Sequence, residues 1–256
     1  MRSQTKNGRK PSSAVVRDRS AGRHFWGRIR WLIGLYGVIV SVASCGSVAA
    51  ASSQAESAPA LLAQATHDAE ASGWVHETAS ASGEGHSLSM VNDIGSAEGR
   101  QVIVANGAHA QVIVVNGDAY LNGDANAIAH YFEISTTDPQ KYANQWLELT
   151  PSNPGYSTVS GAVTLNSDFG HLDMPKHLTL GKAVIVGGHK LEGISGHIAA
   201  TSQHPAVTVT LYVTTSGKVL PVKYEIAGKG LVSTTSWSNW GHGVQLSVPS
   251  STLLTP

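Results

Sequence analysis

The stretch Val207-Thr-Val-Thr-Leu-Tyr-Val213, followed past Thr215-Ser-Gly-Lys218 by Leu220-Pro-Val-Lys-Tyr-Glu-Ile226, alternates apolar and polar residues through two consecutive runs. Val207, Val209, Leu211 and Val213 fall on one face; Thr208, Thr210 and Tyr212 fall on the other. Leu220, Val222, Tyr224 and Ile226 repeat the pattern against Pro221, Lys223 and Glu225. Successive strand side chains point to opposite faces, so both runs read as strands with one apolar and one wet face. The polar, glycine-containing link makes them an antiparallel hairpin. Val244, Leu246 and Val248 read as a closing strand.

Upstream lies a near-duplicate, Val102-Ile-Val-Ala-Asn-Gly107 and Val112-Ile-Val-Val-Asn-Gly117, with a third Asn-Gly at Asn122-Gly123. Asn-Gly between apolar runs is a strong hairpin signal, since both residues tolerate positive φ. The spacing predicts meandering strands near 100–105, 110–115 and 118–122. Their four-residue apolar runs predict burial on both faces. Leu88, Met90 and Ile94 also alternate with polar neighbours. Ser57 to Ser72 reads as a helix, with Ser57 as cap, Pro59 in the first turn, and Leu61, Leu62, Ala65 and Ala69 on one face. Residues 124–145 are helical in character: Asp124 or Asn126 caps a segment through Ala129 and Phe132, and Asp138-Pro139 opens another. A weak helix is predicted from Ser157 to Asn166. The fold class is α+β, mainly antiparallel β. About ten strands form a sheet large enough to curl into a half-barrel, packed over two or three helices.

The first 44 residues belong to something else. Among 256 residues, 17 are basic and 17 acidic, but residues 1–44 hold nine Lys/Arg and one acid, Asp18. Residues 1–30 form a basic flank, and Trp31 to Ser44 is uncharged. Together they read as the n- and h-regions of an export signal. Cys45, the only cysteine, follows Val42-Ala43-Ser44. That order matches a bacterial lipobox: small residues admit the signal peptidase, and the thiol takes a diacylglycerol. The alternative is an uncleaved helix, since the 21 uncharged residues from Trp31 to Ala51 would span about 31 Å. Both readings put the body on the extracytoplasmic face of the cell membrane. Residues 46–56 are Ala/Ser-rich and read as a tether, leaving 57–256 as the folded domain.

From Cys45 onward the chain carries 8 basic and 16 acidic residues. A body with net charge −8 argues against nucleic acid as partner, because phosphate binding needs a positive face. One cysteine excludes an intrachain disulfide and a cysteine-based zinc site. Eleven histidines follow Cys45, among them His171, His177, His189, His197 and His204. No pair has the i, i+2 or i, i+4 spacing of local metal ligands, so no metal or cofactor is expected. No Gly-x-Ser-x-Gly elbow occurs. Gly187-Gly188-His189-Lys190 lacks P-loop spacing and reads as a strand turn. Asp168 and Asp173 flank Gly170-His171 and read as solvated loop carboxylates. Trp237 and Trp240 could stack on a sugar, but their offset puts them on opposite faces of an extended segment, one in the core and one at the rim.

The arrangement resembles the LppX/LprG-type lipoproteins of actinobacteria, whose domain is LolA-like. The lipobox cysteine, the Ala/Ser tether and the opening helix carry the likeness. So do Val112–Leu121 ending in Gly-Asp-Ala-Tyr-Leu, Trp146 at a strand start, and Gly217-Lys-Val-Leu-Pro-Val222. The likeness covers roughly residues 57–250. It implies an antiparallel half-barrel over helices with an apolar cavity for acyl chains, a lipid or lipoglycan ligand, and no catalytic residues. The expected cavity lining is Val207, Val209, Leu211, Val213, Leu220, Val222 and Tyr224. The expected function is non-enzymatic lipid binding, extending to transport toward the cell envelope, by a protein anchored through a lipid on Cys45. The competing expectation is a sensor or partner- and glycan-binding module with the same fold and a filled cavity.

Overall fold

The computed structural model describes residues 57–130, 138–153, 156–165, 172, 174–186, 188–201 and 205–254. The export signal, Cys45 and the tether lie outside these, as do Phe132, Asn166, Asp168, His171, Asp173, Gly187 and His204. Among the described residues no helix is long and apolar enough to cross a membrane.

The chain opens with helix α1 (Ala58–Glu70). Ser57 caps it, its hydroxyl accepting from the Ala60 amide at 3.4 Å. Ala58, Leu61, Ala65 and Ala69 are buried, as the spacing predicts. Gly73 (φ 78°) then turns the chain into a meander. Its strands are β1 (Trp74–Gly83), β2 (His86–Gly95), β3 (Gly99–Ala105), β4 (Ala108–Val115) and β5 (Asp118–Gly123). Asn106-Gly107 and Asn116-Gly117 make the β3–β4 and β4–β5 turns, all four at positive φ. Glu84-Gly85 does the same between β1 and β2 without an asparagine. The third Asn-Gly is no hairpin turn. Asn122 and Gly123 stay paired with Gln111 and Ala110 of β4. The chain then enters α2 (Ala125–His130), capped by Asp124, whose carboxylate accepts from the Ala127 amide at 2.8 Å.

Short pieces follow: α3 (Pro139–Tyr142), β6 (Leu147–Leu149), α4 (Tyr156–Gly161), β7 (Leu178–Leu180) and β8 (Val184–Val186). Pro139 opens α3 as read, and α4 ends well before Asn166. A second meander comprises β9 (His189–Ile198), β10 (Val207–Thr214), β11 (Pro221–Gly228) and β12 (Leu231–Ser238). Val186 pairs with His189, and Gly188 takes a positive φ between them.

Among the described residues the thirteen strands join one sheet, in the order β13-β6-β5-β4-β3-β2-β1-β12-β11-β10-β9-β7, with β8 also on β9. The first meander grows outward from β1 and the second returns inward to β12. Their junction is the antiparallel β1–β12 pair. β7 and β8 are two pieces along one edge of β9. The sheet is open: β13 (Leu253–Leu254) ends it on one side, pairing parallel with β6. The expected mainly antiparallel sheet over a few helices is thus present, with more and shorter strands than the ten read.

Two expectations fail. β3 is buried on one face only, with Val102 42% exposed although it sits in an apolar run, while β4 is buried on both faces just at its end, at Val114 and Val115. The outer face is wet along β3, though it is buried at Asp93 and at Tyr120 of β5. Val244, Leu246 and Val248 form no strand. β12 lies between β11 and β1, so neither of its edges is free for another strand.

Gly99 shows how closely the chain returns on this sheet. A Cβ there would lie 2.4 Å from the Val163 carbonyl oxygen and 2.7 Å from that of Asp93. Only glycine lets the segment after α4 settle against the β2–β3 connection, where Thr164 bridges Gly95.

Candidate functional site

The inner face of the sheet reads off directly from strand register. One row crosses it as Ile194, Leu211, Tyr224, Thr235, Ala79, Met90 and Ile103. The neighbouring row runs Val209, Ile226, Ser233, Ala81, Leu88 and Ala105. Both flanks are packed. Val209, Leu211 and Val213 are 0% exposed and Val207 is 1% exposed. α1 packs on β7, β9 and β11, while α2 packs on β4 and β5, and α4 on β5. A backbone clamp holds α1: the Asp68 carboxylate accepts from the Val219 amide at 2.8 Å.

The middle differs. Ser233 and Thr235 on β12, with Ala79 and Ala81 on β1, put four small side chains together between larger ones. Tyr224 and Ile226 stand on one side, Leu88 and Met90 on the other. At about 4.8 Å per strand, the two walls are roughly 14 Å apart. Ser233, Thr235, Ala79, Met90 and Ile226 are only half-buried. Small residues between large ones leave a trough in the inner face, partly exposed at Ser233, Thr235 and Ala79 and buried at Ala81.

Of the residues expected to line a cavity, Val207, Val209, Leu211 and Val213 form the packed wall beside this trough, and Tyr224 (8% exposed) forms its edge. A β-bulge separates the remainder. Tyr212 pairs with Lys223 but Val213 pairs with Pro221, which leaves Val222 as the extra residue. The extra residue inverts the alternation beyond it. Pro221 and Val219 therefore share the inner face with Val213, and Leu220 turns to the other. Pro221 is tolerated because a bulge releases it from donating to the ladder. Val222 and Leu220 are half-buried.

One end of the trough is polar. The next inner row is Trp237, Glu77, Asn92, Gln101, Val112 and Leu121. Glu77, Asn92 and Gln101 are 4%, 2% and 5% exposed. The Glu77 carboxylate accepts from Asn92 Nδ2 at 2.5 Å and from Trp237 Nε1 at 2.9 Å. Asn92 Oδ1 is buried with no hydrogen-bond partner. Trp237 is thus a core residue. Trp240 lies beyond β12, half-buried, and donates to the Pro221 carbonyl at 3.1 Å, so the two indoles form no sugar-stacking pair.

The opposite face carries a second cross-strand row. Asp93 accepts from His76 Nδ1 at 2.8 Å and from Arg100 Nε at 2.6 Å. Burial pushes the Asp93 carboxyl up; the hydrogen bonds and charges of His76 and Arg100 outweigh this and hold it below the usual carboxylate value. The unfolded carboxyl titrates near 3.9, above the folded one, so its contribution is present above that value and lost as pH falls through the folded pKa. Urea midpoints measured from pH 6 to pH 2.5 are expected to fall less steeply in Asp93→Asn than in the parent. Equal slopes would contradict this. Among the described residues no three His, Cys, Asp or Glu side chains converge on a metal-sized site.

No protein-family model matches the chain, and no curated protein does. Solved structures do. The chain is similar in fold to mycobacterial LprF. That crystal structure, from Mycobacterium bovis, is 14% identical, with TM-score 0.49 over 76% of this chain and 97% of that one. The lipoprotein LppX from Mycobacterium tuberculosis is 15% identical, with TM-score 0.46 over 74% and 99%. A LolA superfamily protein from Nitrosomonas europaea is 12% identical, with TM-score 0.27 over 75% and 96%. The likeness is one of fold.

The sequence reading missed Glu77, Asn92 and the small residues of β1 and β12. A signal for Asn92 was present. It occupies an inward position between Met90 and Ile94, where alternation calls for an apolar residue.

Proposed function

We propose that this chain is a non-enzymatic lipoprotein that binds acyl chains on the inner face of its sheet. It is held through Cys45 on the extracytoplasmic face of the membrane, where it could carry lipid toward the cell envelope. The observation that supports lipid binding is the trough: an apolar inner face left half-open at Ala79, Met90 and Ile226, between fully packed flanks. A sheet that had no occupant for this region would be expected to fill it with large side chains, as β10 does. Each buried methylene is worth about 0.8 kcal/mol, so ten supply roughly 8 kcal/mol before ordering and association costs. Micromolar binding needs about 8.2 kcal/mol, so a long or double chain is the better fit. Val207, Val209, Leu211, Val213 and Tyr224 would back the ligand as a rigid wall, while Leu220, turned to the other face by the bulge at Val222, takes no part in it. The test is mass spectrometry of lipids that co-purify with the chain. Near-stoichiometric acyl lipid is expected; well-folded protein free of lipid would overturn the reading.

The anchor rests on the order of basic flank, apolar run and Val42-Ala43-Ser44-Cys45. The mature chain is expected to begin at a diacylglyceryl-modified Cys45, and Cys45→Ala is expected to leave an uncleaved precursor. An unmodified Cys45 thiol in the intact mass of the mature protein would contradict this.

A further inference from the structure

Asn92 Oδ1 is an acceptor without a donor in a place where water cannot freely reach it. Its orientation is fixed. Glu77 presents an acceptor to the Asn92 amide, so Nδ2 must face the carboxylate; turning the amide over would set two oxygens against each other. Glu77 is itself held by Trp237 Nε1 on the neighbouring strand. Gln101, next in the row, turns its Nε2 toward Met90 Sδ at 3.9 Å instead of toward Asn92. The result is a pinned, buried carbonyl oxygen in the row next to Ala79 and Met90, at the polar end of the trough. A buried orphan acceptor is costly unless something donates to it.

We infer that Asn92 Oδ1 is the docking point for a hydroxyl donor on the bound lipid, so that the trough selects an acyl chain bearing an uncharged hydroxyl group over one bearing an anionic phosphate. The inference rests on the lipid-binding reading above. The electrostatics agree with it. The row offers Glu77 and an amide oxygen, and no Lys or Arg lies on the inner face of β11, β12, β1, β2 or β3. A phosphate placed there would meet a carboxylate without a compensating cation, whereas a hydroxyl would supply the missing proton. The chain would lie along the small residues of β12 and β1, with its hydroxyl end at the Trp237–Glu77–Asn92 row.

The full chain, stripped of bound lipid, is titrated with 1-oleoylglycerol, methyl oleate and 1-oleoyl lysophosphatidic acid by displacement of a fluorescent fatty acid. The first two share an acyl chain, and methyl oleate has no hydroxyl. The expected result is that 1-oleoylglycerol binds about five- to tenfold tighter than methyl oleate, the range of one hydrogen bond, and tighter than the phosphate. Asn92→Leu is expected to reduce this preference to less than about twofold, with methyl oleate affinity unchanged within that factor. Since Asn92→Leu removes a partner of Glu77, the double variant Glu77→Gln/Asn92→Leu keeps the row neutral if the single variant melts early. Equal affinity of the parent for 1-oleoylglycerol and methyl oleate overturns the inference, as does tighter binding of the phosphate. A preference that survives in a folded Asn92 variant does the same. Methyl oleate binding without discrimination leaves the lipid-binding reading standing; failure of every probe to bind overturns both.

Discussion

Glu77→Ala is expected to destabilise the domain by about 2–6 kcal/mol. The substitution strips the acceptor from Asn92 Nδ2 and Trp237 Nε1, both on buried side chains, and each unsatisfied group costs about 1–3 kcal/mol. Glu77→Gln retains one acceptor oxygen and is expected to lose less than half as much. The contrast matters because this row ties together β12, β1 and β2, across the seam where the two meanders meet. Urea unfolding at neutral pH measures both variants. Equal losses for alanine and glutamine would show that the row acts through volume instead of hydrogen bonding.

Leu211→Ala is expected to cost about 2–5 kcal/mol, the usual range for emptying a fully enclosed leucine site. Leu211 is 0% exposed at the centre of the packed flank, with Ile194 and Tyr224 beside it on the inner face. Met90, half-buried on the far wall of the trough, behaves differently. Met90→Ala is expected to cost less than about 1.5 kcal/mol, because part of its surface is already wet, while weakening acyl-chain capture. The pair separates a core position from a ligand-facing one. Similar thermal melts for Leu211→Ala and Met90→Ala would mean that flank and trough are packed alike.

Much of this architecture was legible because its strands obey simple alternation. β10 reads cleanly since every second residue is a branched apolar one, and β3 and β4 announce their shared turn through Asn106-Gly107. Ser57, Pro59 and the Leu61–Ala65 spacing mark α1 for equally local reasons. β12 was not legible. Its inward residues are Leu231, Ser233, Thr235 and Trp237, a mixed set that no hydrophobic period picks out. Its small polar side chains are what open the trough, so the feature that hid the strand is the feature that makes the candidate site. The bulge at Val222 was hidden for another reason. Leu220, Val222 and Tyr224 look like continuous alternation, and only the pairing of Val213 with Pro221 reveals the inversion. Cross-strand rows such as Trp237–Glu77–Asn92 join residues 160 positions apart, a proximity that exists only once register is set.

The central claim is tested most directly by titrating delipidated, folded residues 57–256 with a fluorescent fatty acid, alongside Ala79→Leu, which adds bulk to the trough floor. Saturable one-to-one binding is predicted for the parent, with binding weakened at least fivefold in an Ala79→Leu protein that melts normally. No saturable binding by well-folded parent would contradict the account and favour a protein or glycan partner on this fold instead.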